Sequence, residues 1–185
     1  MAKLTILSCT NRPNSRSLAI SKAYAQFAFQ HWESVEVVSL EQLNGMTISD
    51  AMYTPEGQDP ILAKFQDEVF NPAQHFVFVL PEYNGTFSGI FKFMIDAISI
   101  RDKDGNFKGK TVAMLGVAAG RSGNLRGLDQ LTNALNYLGM KVYENKIPIS
   151  QIHAILNDET GEIDQNTTDL LTNHTKDYHS YVNSL

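Results

Sequence analysis

Cysteine is nearly missing from this chain: Cys9 is the only one in 185 residues. That excludes an intramolecular disulfide and a cysteine-built zinc site, and a lone thiol points to a reducing compartment, the cytoplasm. Long apolar runs are missing too, and none approaches the ~18 residues of a membrane span. The opening Met-Ala-Lys-Leu-Thr-Ile-Leu-Ser has too short an apolar stretch for a signal peptide, and lipidation motifs are absent. Internal repeats and low-complexity segments are absent as well. A net charge of −5 argues against a nucleic-acid or membrane-surface partner. The most local absence is of carboxylates: the first acid is Glu33, while Lys3, Arg12, Arg16 and Lys22 precede it. The opening 32 residues are therefore +4, and the remainder, 11 basic against 20 acidic residues, is −9. A small anion held near the start of an otherwise acidic protein is the reading this asymmetry supports.

What is present fits one soluble domain spanning 1–185. The chain is 43% hydrophobic and 19% charged, and at about 150 residues per domain it is long enough to bury a core without staples. Short β-branched runs alternate with helical patterns. Strands are expected at 4–9, 35–40, 76–80, 111–117 and 141–147, and helices at about 15–31, 59–70, 87–100, 122–138 and 163–183. The first, third and fourth runs are nearly continuous in apolar residues, as in a parallel sheet covered on both faces. Five strands alternating with five helices imply an α/β sheet wrapped on both sides. Ligands of such sheets bind beyond the carboxyl ends of the strands, where strand order reverses.

Three loops follow such strand ends. The first, SCTNRPNSRS (8–17), has four hydroxyls, two amides and two guanidiniums before a helix begins. A helix N-terminus with hydroxyls and an arginine suits a phosphate; an ordinary polar turn capped by Asn14 or Ser15 is the plainer alternative. The loop has no glycine, which argues against a dinucleotide fingerprint and a P-loop. Gly105–Thr111 only mimics a P-loop: it has three residues between its glycines where four are needed, and it reads as a turn before a strand. The second loop, PEYNGTFSG (81–89), offers backbone groups with Tyr and Asn side chains, suited to a flat heteroaromatic ring. The helix after it is apolar nearly all round, hence buried in the core or in a subunit interface, with Asp96 as a hydrogen-bonded structural carboxylate. The third, AAGRSGN (118–124), has two glycines that permit close ligand approach and an arginine; capping by Asn124 or Ser122 is its plainer alternative.

Together these loops resemble the NAD(P)H-dependent FMN reductase family, which includes quinone, azo-dye and chromate reductases. The resemblance runs over almost the whole chain, with PEYN before an apolar helix as its most specific element. It implies a three-layer flavodoxin-like fold with a five-stranded parallel sheet in the order 2-1-3-4-5, bound FMN, NADPH or NADH as reductant, a small-molecule electron acceptor, and a homodimer or homotetramer. Carried onto this sequence, Thr10, Arg12, Ser15 and Ser17 would hold the phosphate, with Arg16 beside them where the family often has Asn. Pro81, Glu82, Tyr83, Asn84 and Gly85 would line the ring, and Gly120, Arg121, Ser122 and Gly123 its other edge or the nicotinamide. No side chain is expected as acid, base or nucleophile and no metal is implied, since the chemistry belongs to the flavin N5. Cys9 and the five histidines, His31, His75, His153, His174 and His179, are expected to be structural or at the surface. Two alternatives stand beside a reductase: a flavodoxin-type electron carrier, and a non-enzymatic nucleotide-binding domain. Residues 118–124 contain no aromatic and Tyr83 is alone in its loop, so one ring face would stay open to a nicotinamide, which favours the reductase.

Overall fold

The alternation of side chains along each strand divides the apolar residues between two cores. In the computed structural model, which describes residues 3–54 and 57–185, β1 (Lys3–Ser8) sends Leu4 and Ile6 to one face of the sheet and Leu7 to the other. β3 (His75–Pro81) does the same with Val77 and Val79 against Phe76, Phe78 and Leu80. β4 (Thr111–Val117) sends Ala113 and Leu115 one way and Val112 and Met114 the other. All these side chains are fully buried. Helices therefore cover both faces. α1 (Arg16–Ala28) and α6 (Gln165–Asn183) pack on the first through Ile20, Tyr24, Leu171 and Tyr178. α2 (Pro60–Phe65), α3 (Gly89–Phe107) and α4 (Leu125–Leu138) pack on the second through Leu62, Phe91, Met94 and Leu131.

With β2 (Ser34–Ser39), the parallel strands run in the order β2-β1-β3-β4-β5. This is the expected flavodoxin-like topology, with one correction. The run 141–147 is not one strand. It forms β5 (Lys141–Val142) and β6 (Ile147–Ile149), both paired to β4. Partners step from Val112↔Val142 to Leu115↔Ile147, so four residues of the edge strand, 143–146, stand opposite two of β4. The surplus bulges out, as edges tolerate. It is held there because Tyr143 packs on Tyr178 and Tyr181 while the Asn145 carbonyl is taken by His174.

α3 also departs from expectation. It runs on to Phe107 through a break at Asp102, whose Oδ1 accepts the Gly105 N–H and starts a new turn. Gly105 thus lies in a helix, and the turn before β4 is at Gly109, with φ +77°. Asp96 is half-exposed and ion-paired to Lys92 one turn earlier at 2.6 Å, not buried in a network. A short helix unseen in the sequence, α5 (Ile152–Ile155), follows β6. Cys9 is buried, its Sγ–H donates to the Leu7 carbonyl, and burial pushes the thiol pKa up, consistent with an inert role.

His174 ties α6 to the bulge and to α1. A carbonyl only accepts, so Nε2–H donates to Asn145 O at 3.0 Å, and Nδ1 must accept from the Tyr24 hydroxyl at 2.9 Å. Burial holds its pKa below the ordinary 6.5. The unfolded chain then binds the proton first, and stability falls as pH drops below about 6.5. His174→Gln should cost about 1–3 kcal/mol at pH 7, because buried partners lose their bonds. Urea unfolding at pH 7 and pH 5 should show the gap between wild type and variant narrowing at pH 5.

Candidate functional site

The reversal of strand order between β1 and β3 opens a crevice at the carboxyl ends of the strands. The loop after β1 leaves through Thr10, which is buried and central to the arrangement. Its Oγ1 accepts the Arg12 N–H at 3.2 Å and shares a hydrogen bond of 2.8 Å with the Tyr83 hydroxyl of the loop after β3. Ser15 is the N-cap of α1, accepting the Leu18 N–H at 3.2 Å. The first-turn N–H groups of Arg16 and Ser17 face outward from the helix end, as helix geometry requires.

The loop after β3 turns back at once. Tyr83 and Thr86 exchange backbone bonds of 2.8 and 3.2 Å across Asn84 and Gly85, both at positive φ (53° and 79°). This is the backbone of a two-residue type I′ turn, for which Asn-Gly is the favoured pair. Ser88 then caps α3 and donates its hydroxyl to the Cys9 carbonyl, pinning the helix start to the end of β1.

The loop after β4 is sewn to the loop after β3. Glu82 Oε2 accepts from Ser122 Oγ at 2.9 Å and from the Asn124 N–H at 3.3 Å. In return, Asn124 Nδ2 donates to the carbonyls of Leu80 and Pro81 at 3.3 and 3.1 Å. Asn124 occupies the N-cap position of α4 with φ +64°, so its side chain bonds β3 instead of capping its own helix. The fold-back demands glycine: a Cβ on Gly116 would lie 2.0 Å from the Gly123 carbonyl oxygen. By contrast, Cβ atoms on Gly85 and Gly120 would meet nothing within 4 Å, which leaves open space beside both.

These pieces enclose a cavity of about 400 Å³, within the range of small-molecule sites. Of the residues singled out in the sequence, Arg12, Ser15, Arg16, Ser17, Pro81, Glu82 and Tyr83 line it, and Thr10 braces it through Tyr83. Asn84, Gly85, Gly120, Arg121, Ser122 and Gly123 flank it without lining it. Pro13, Asn14, Ala118, Ala119, Ile152, His153 and Asp158 line it unforeseen. The first four belong to the loops after β1 and β4. The last three arrive because Gln151 and Ile152 donate backbone bonds to Gly120 O and Ala118 O, which seats α5 beside the loop after β4. His153, expected away from the site, is thereby on its wall.

Two guanidiniums in the first loop have different fates. Arg16 is committed to Asp158, with Nε to Oδ1 at 3.0 Å and Nη2 to Oδ2 at 2.6 Å. That pairing holds the Asp158 carboxyl below the usual carboxylate range. Arg12 is exposed at the cavity and has no ion-pair partner among the described residues. Arranged this way, the site can hold an anion at the α1 end and a flat polar ring against residues 81–83 and 118–119.

Residues 2–154 match the model of the family described as NADPH-dependent FMN reductase. Over 101 residues the chain is 31% identical to an NAD(P)H-dependent FMN reductase of Pseudomonas aeruginosa, a match covering 55% of this chain and 54% of the relative. The match thus spans about half the length of that curated relative. Among solved structures, FerB, a flavoenzyme NAD(P)H:(acceptor) oxidoreductase from Paracoccus denitrificans, superposes with a TM-score of 0.78 at 19% identity, over 100% of this chain and 98% of that one. An FMN-dependent NADH-azoreductase from Bacillus anthracis, solved in complex with FMN, gives 0.62 at 16% identity, over 97% and 100%. At these identities the structural likeness is one of fold.

The Asn124 bonds to β3 generate a test. Asn124→Ala removes two donors from buried carbonyls and places a Cβ-bearing residue without a polar side chain at positive φ, costing about 2–4 kcal/mol. Asn124→Gly loses the same donors but fits the backbone angle, so it should be about 1 kcal/mol less damaging. Equal losses in chemical denaturation would mean the backbone angle carries no strain.

Proposed function

The chain belongs to the NADPH-dependent FMN reductase family, enzymes with FMN and a reduced nicotinamide as cofactors, and we propose that it transfers hydride from NADPH or NADH through bound FMN to a small oxidant. A quinone, an azo compound, chromate or free flavin fits the acceptor role. The observation that supports this reading is the crevice itself: at one end Arg12, without an ion-pair partner among the described residues, and a helix N-terminus, and polar backbone and an open face at the other. The residues present suit FMN. An anion cradle, the open space beside Gly85 and Gly120, and a cavity bounded by two loops match a phosphate-bearing tricyclic ring.

When bound, FMN supplies the redox chemistry by accepting a hydride at N5 and releasing two electrons to the acceptor. The side chains position and admit. Arg12, the N–H groups of Arg16 and Ser17 and the hydroxyl of Ser17 hold the phosphate, with Ser15 shaping the helix start. Thr10 holds Tyr83 by its hydroxyl, which fixes that ring in one orientation. Glu82 is engaged through Oε2 by Ser122 and Asn124 and so braces residues 81–85 as a ring-facing edge. Asn84 and Gly85 supply that edge's turn. Gly120, Arg121, Ser122 and Gly123 border the open side where nicotinamide and oxidant would enter in turn. The absence of an aromatic from residues 118–124 leaves that side unblocked and favours a reductase over a dedicated electron carrier.

We place the protein in the cytoplasm, on the strength of its single buried thiol. Among the described residues no helix is long and apolar enough to cross a membrane. A homodimer or homotetramer is supported by apolar side chains left exposed on α3 and the turn packed against it, Ile100 and Tyr53; sizing by light scattering tests it.

An absorption spectrum of the purified protein should show bound flavin, and anaerobic addition of NADPH or NADH should bleach it. A colourless protein that takes up no FMN would sink the proposal. Steady NAD(P)H oxidation with a quinone separates a reductase from an electron carrier. Arg12→Ala should weaken FMN binding by about 1.5–3 kcal/mol through loss of a charge-assisted hydrogen bond. Riboflavin, lacking the phosphate, should bind wild type and variant alike; equal FMN affinity in both proteins would remove Arg12 from the phosphate.

A further inference from the structure

We propose that the Arg16–Asp158 ion pair is a partition that confines the cofactor site to a flavin mononucleotide and keeps out the dinucleotide FAD. The inference rests on the FMN reading above.

Two concavities meet at this pair. One is the crevice of about 400 Å³. The other, of about 800 Å³, runs along α1 past Leu18, Lys22 and Phe27, opposite Gly161 and Ile163. They share Asn14, Ser15 and Asp158, all at the phosphate end of the crevice, whereas Arg16 lines the crevice alone. From Ser15 to Phe27 the helix advances about 18 Å, long enough for a nucleoside to lie beside it. FMN ends at its phosphate. FAD continues from that same phosphate into a second phosphate, a ribose and an adenine. A chain leaving the cradle in that direction would pass from crevice to groove, and there the Arg16 guanidinium is joined to Asp158 by two bonds of 3.0 and 2.6 Å.

Such a bidentate pair is planar and directional, and it straps segments 142 residues apart in sequence. The groove beyond it is acidic. Asp158, Glu159 and Glu162 line it against one cation, Lys22, so a second phosphate would meet like charge as well as an obstruction. The groove has the dimensions for the second nucleotide and the wrong charge for its phosphate. Asp158 lies four residues past the end of the family match at residue 154, on the segment between α5 and α6. Asp158 is exposed and its ion pair contributes little to stability, so removing it should leave the fold in place.

The experiment is equilibrium binding of FMN and of FAD to flavin-free protein, followed by quenching of flavin fluorescence, with circular dichroism as a check on folding. Wild type should prefer FMN by about a hundredfold or more. Asp158→Ala should narrow that ratio by at least about tenfold, mainly by gaining FAD affinity. Asp158→Asn, which keeps the size and loses the charge, should narrow it less, and Asp158→Glu should keep it. The ratio cancels any general change in phosphate affinity caused by freeing Arg16. Wild type that binds FAD as tightly as FMN, or an Asp158→Ala ratio equal to wild type, overturns the partition while leaving the FMN reading intact. Failure of wild type to bind either flavin overturns both.

Discussion

Burial of β1, β3 and β4 on both faces is the constraint from which the site follows. Side chains along these strands alternate between two apolar cores, so polar chemistry can emerge only where the strands end. The parallel arrangement puts all those ends on one side. The chain passes from β1 outward to β2 and then back across β1 to β3, which parts the loops after β1 and β3 and leaves the crevice between them. The apolar composition of the strands and the polar composition of the loops are two consequences of the same arrangement.

A crevice between loops would be soft if the loops were independent. Here each satisfies the backbone groups of its neighbour. Asn124 covers the carbonyls of Leu80 and Pro81, and Glu82 covers the Asn124 N–H and the Ser122 hydroxyl. Thr10 and Tyr83 close the other side. Several side chains that look ligand-facing in the sequence are therefore engaged with protein. The Ser122 hydroxyl is spent on Glu82 Oε2, which the Asn124 N–H shares. The same accounting explains the positive φ of Asn124: a helix-capping geometry would turn its amide away from β3.

Much of this was legible in the sequence. The apolar runs located β1, β3 and β4 because doubly buried strands have no polar face to confuse the pattern; β2, which is only partly buried, was located by its β-branched residues. Asn84-Gly85, a pair that suits two successive left-handed residues, is a signal for the turn after β3 that reading the loop as a ring platform passes over. The break in the fifth strand was not legible, because it is made by tertiary contacts: Tyr143 on α6, and His174 on Asn145. The extension of α3 was hidden by Gly105, a residue that usually signals a turn and here follows an Asp102 cap. Asp158 and His153 carried no local signal. They reach the cavity only because α5 docks on the loop after β4, and a four-residue helix is too short to show periodicity.

The N-terminal excess of positive charge changes meaning in three dimensions. Lys3 is paired with Glu36 at 2.6 Å and Arg16 with Asp158, while Lys22 lies along the acidic groove beside α1. The acids missing from the first 32 residues are thus returned to that region by β2 and by the segment before α6. Arg12 is the exception, a guanidinium at the cavity with no carboxylate beside it among the described residues. Taken only as a sum, the +4 of the opening segment would attract any polyanion. Among the described residues the folded arrangement leaves Arg12 without a carboxylate partner beside the N-terminus of α1, and it is this local geometry, not the summed charge, on which the proposed phosphate site rests.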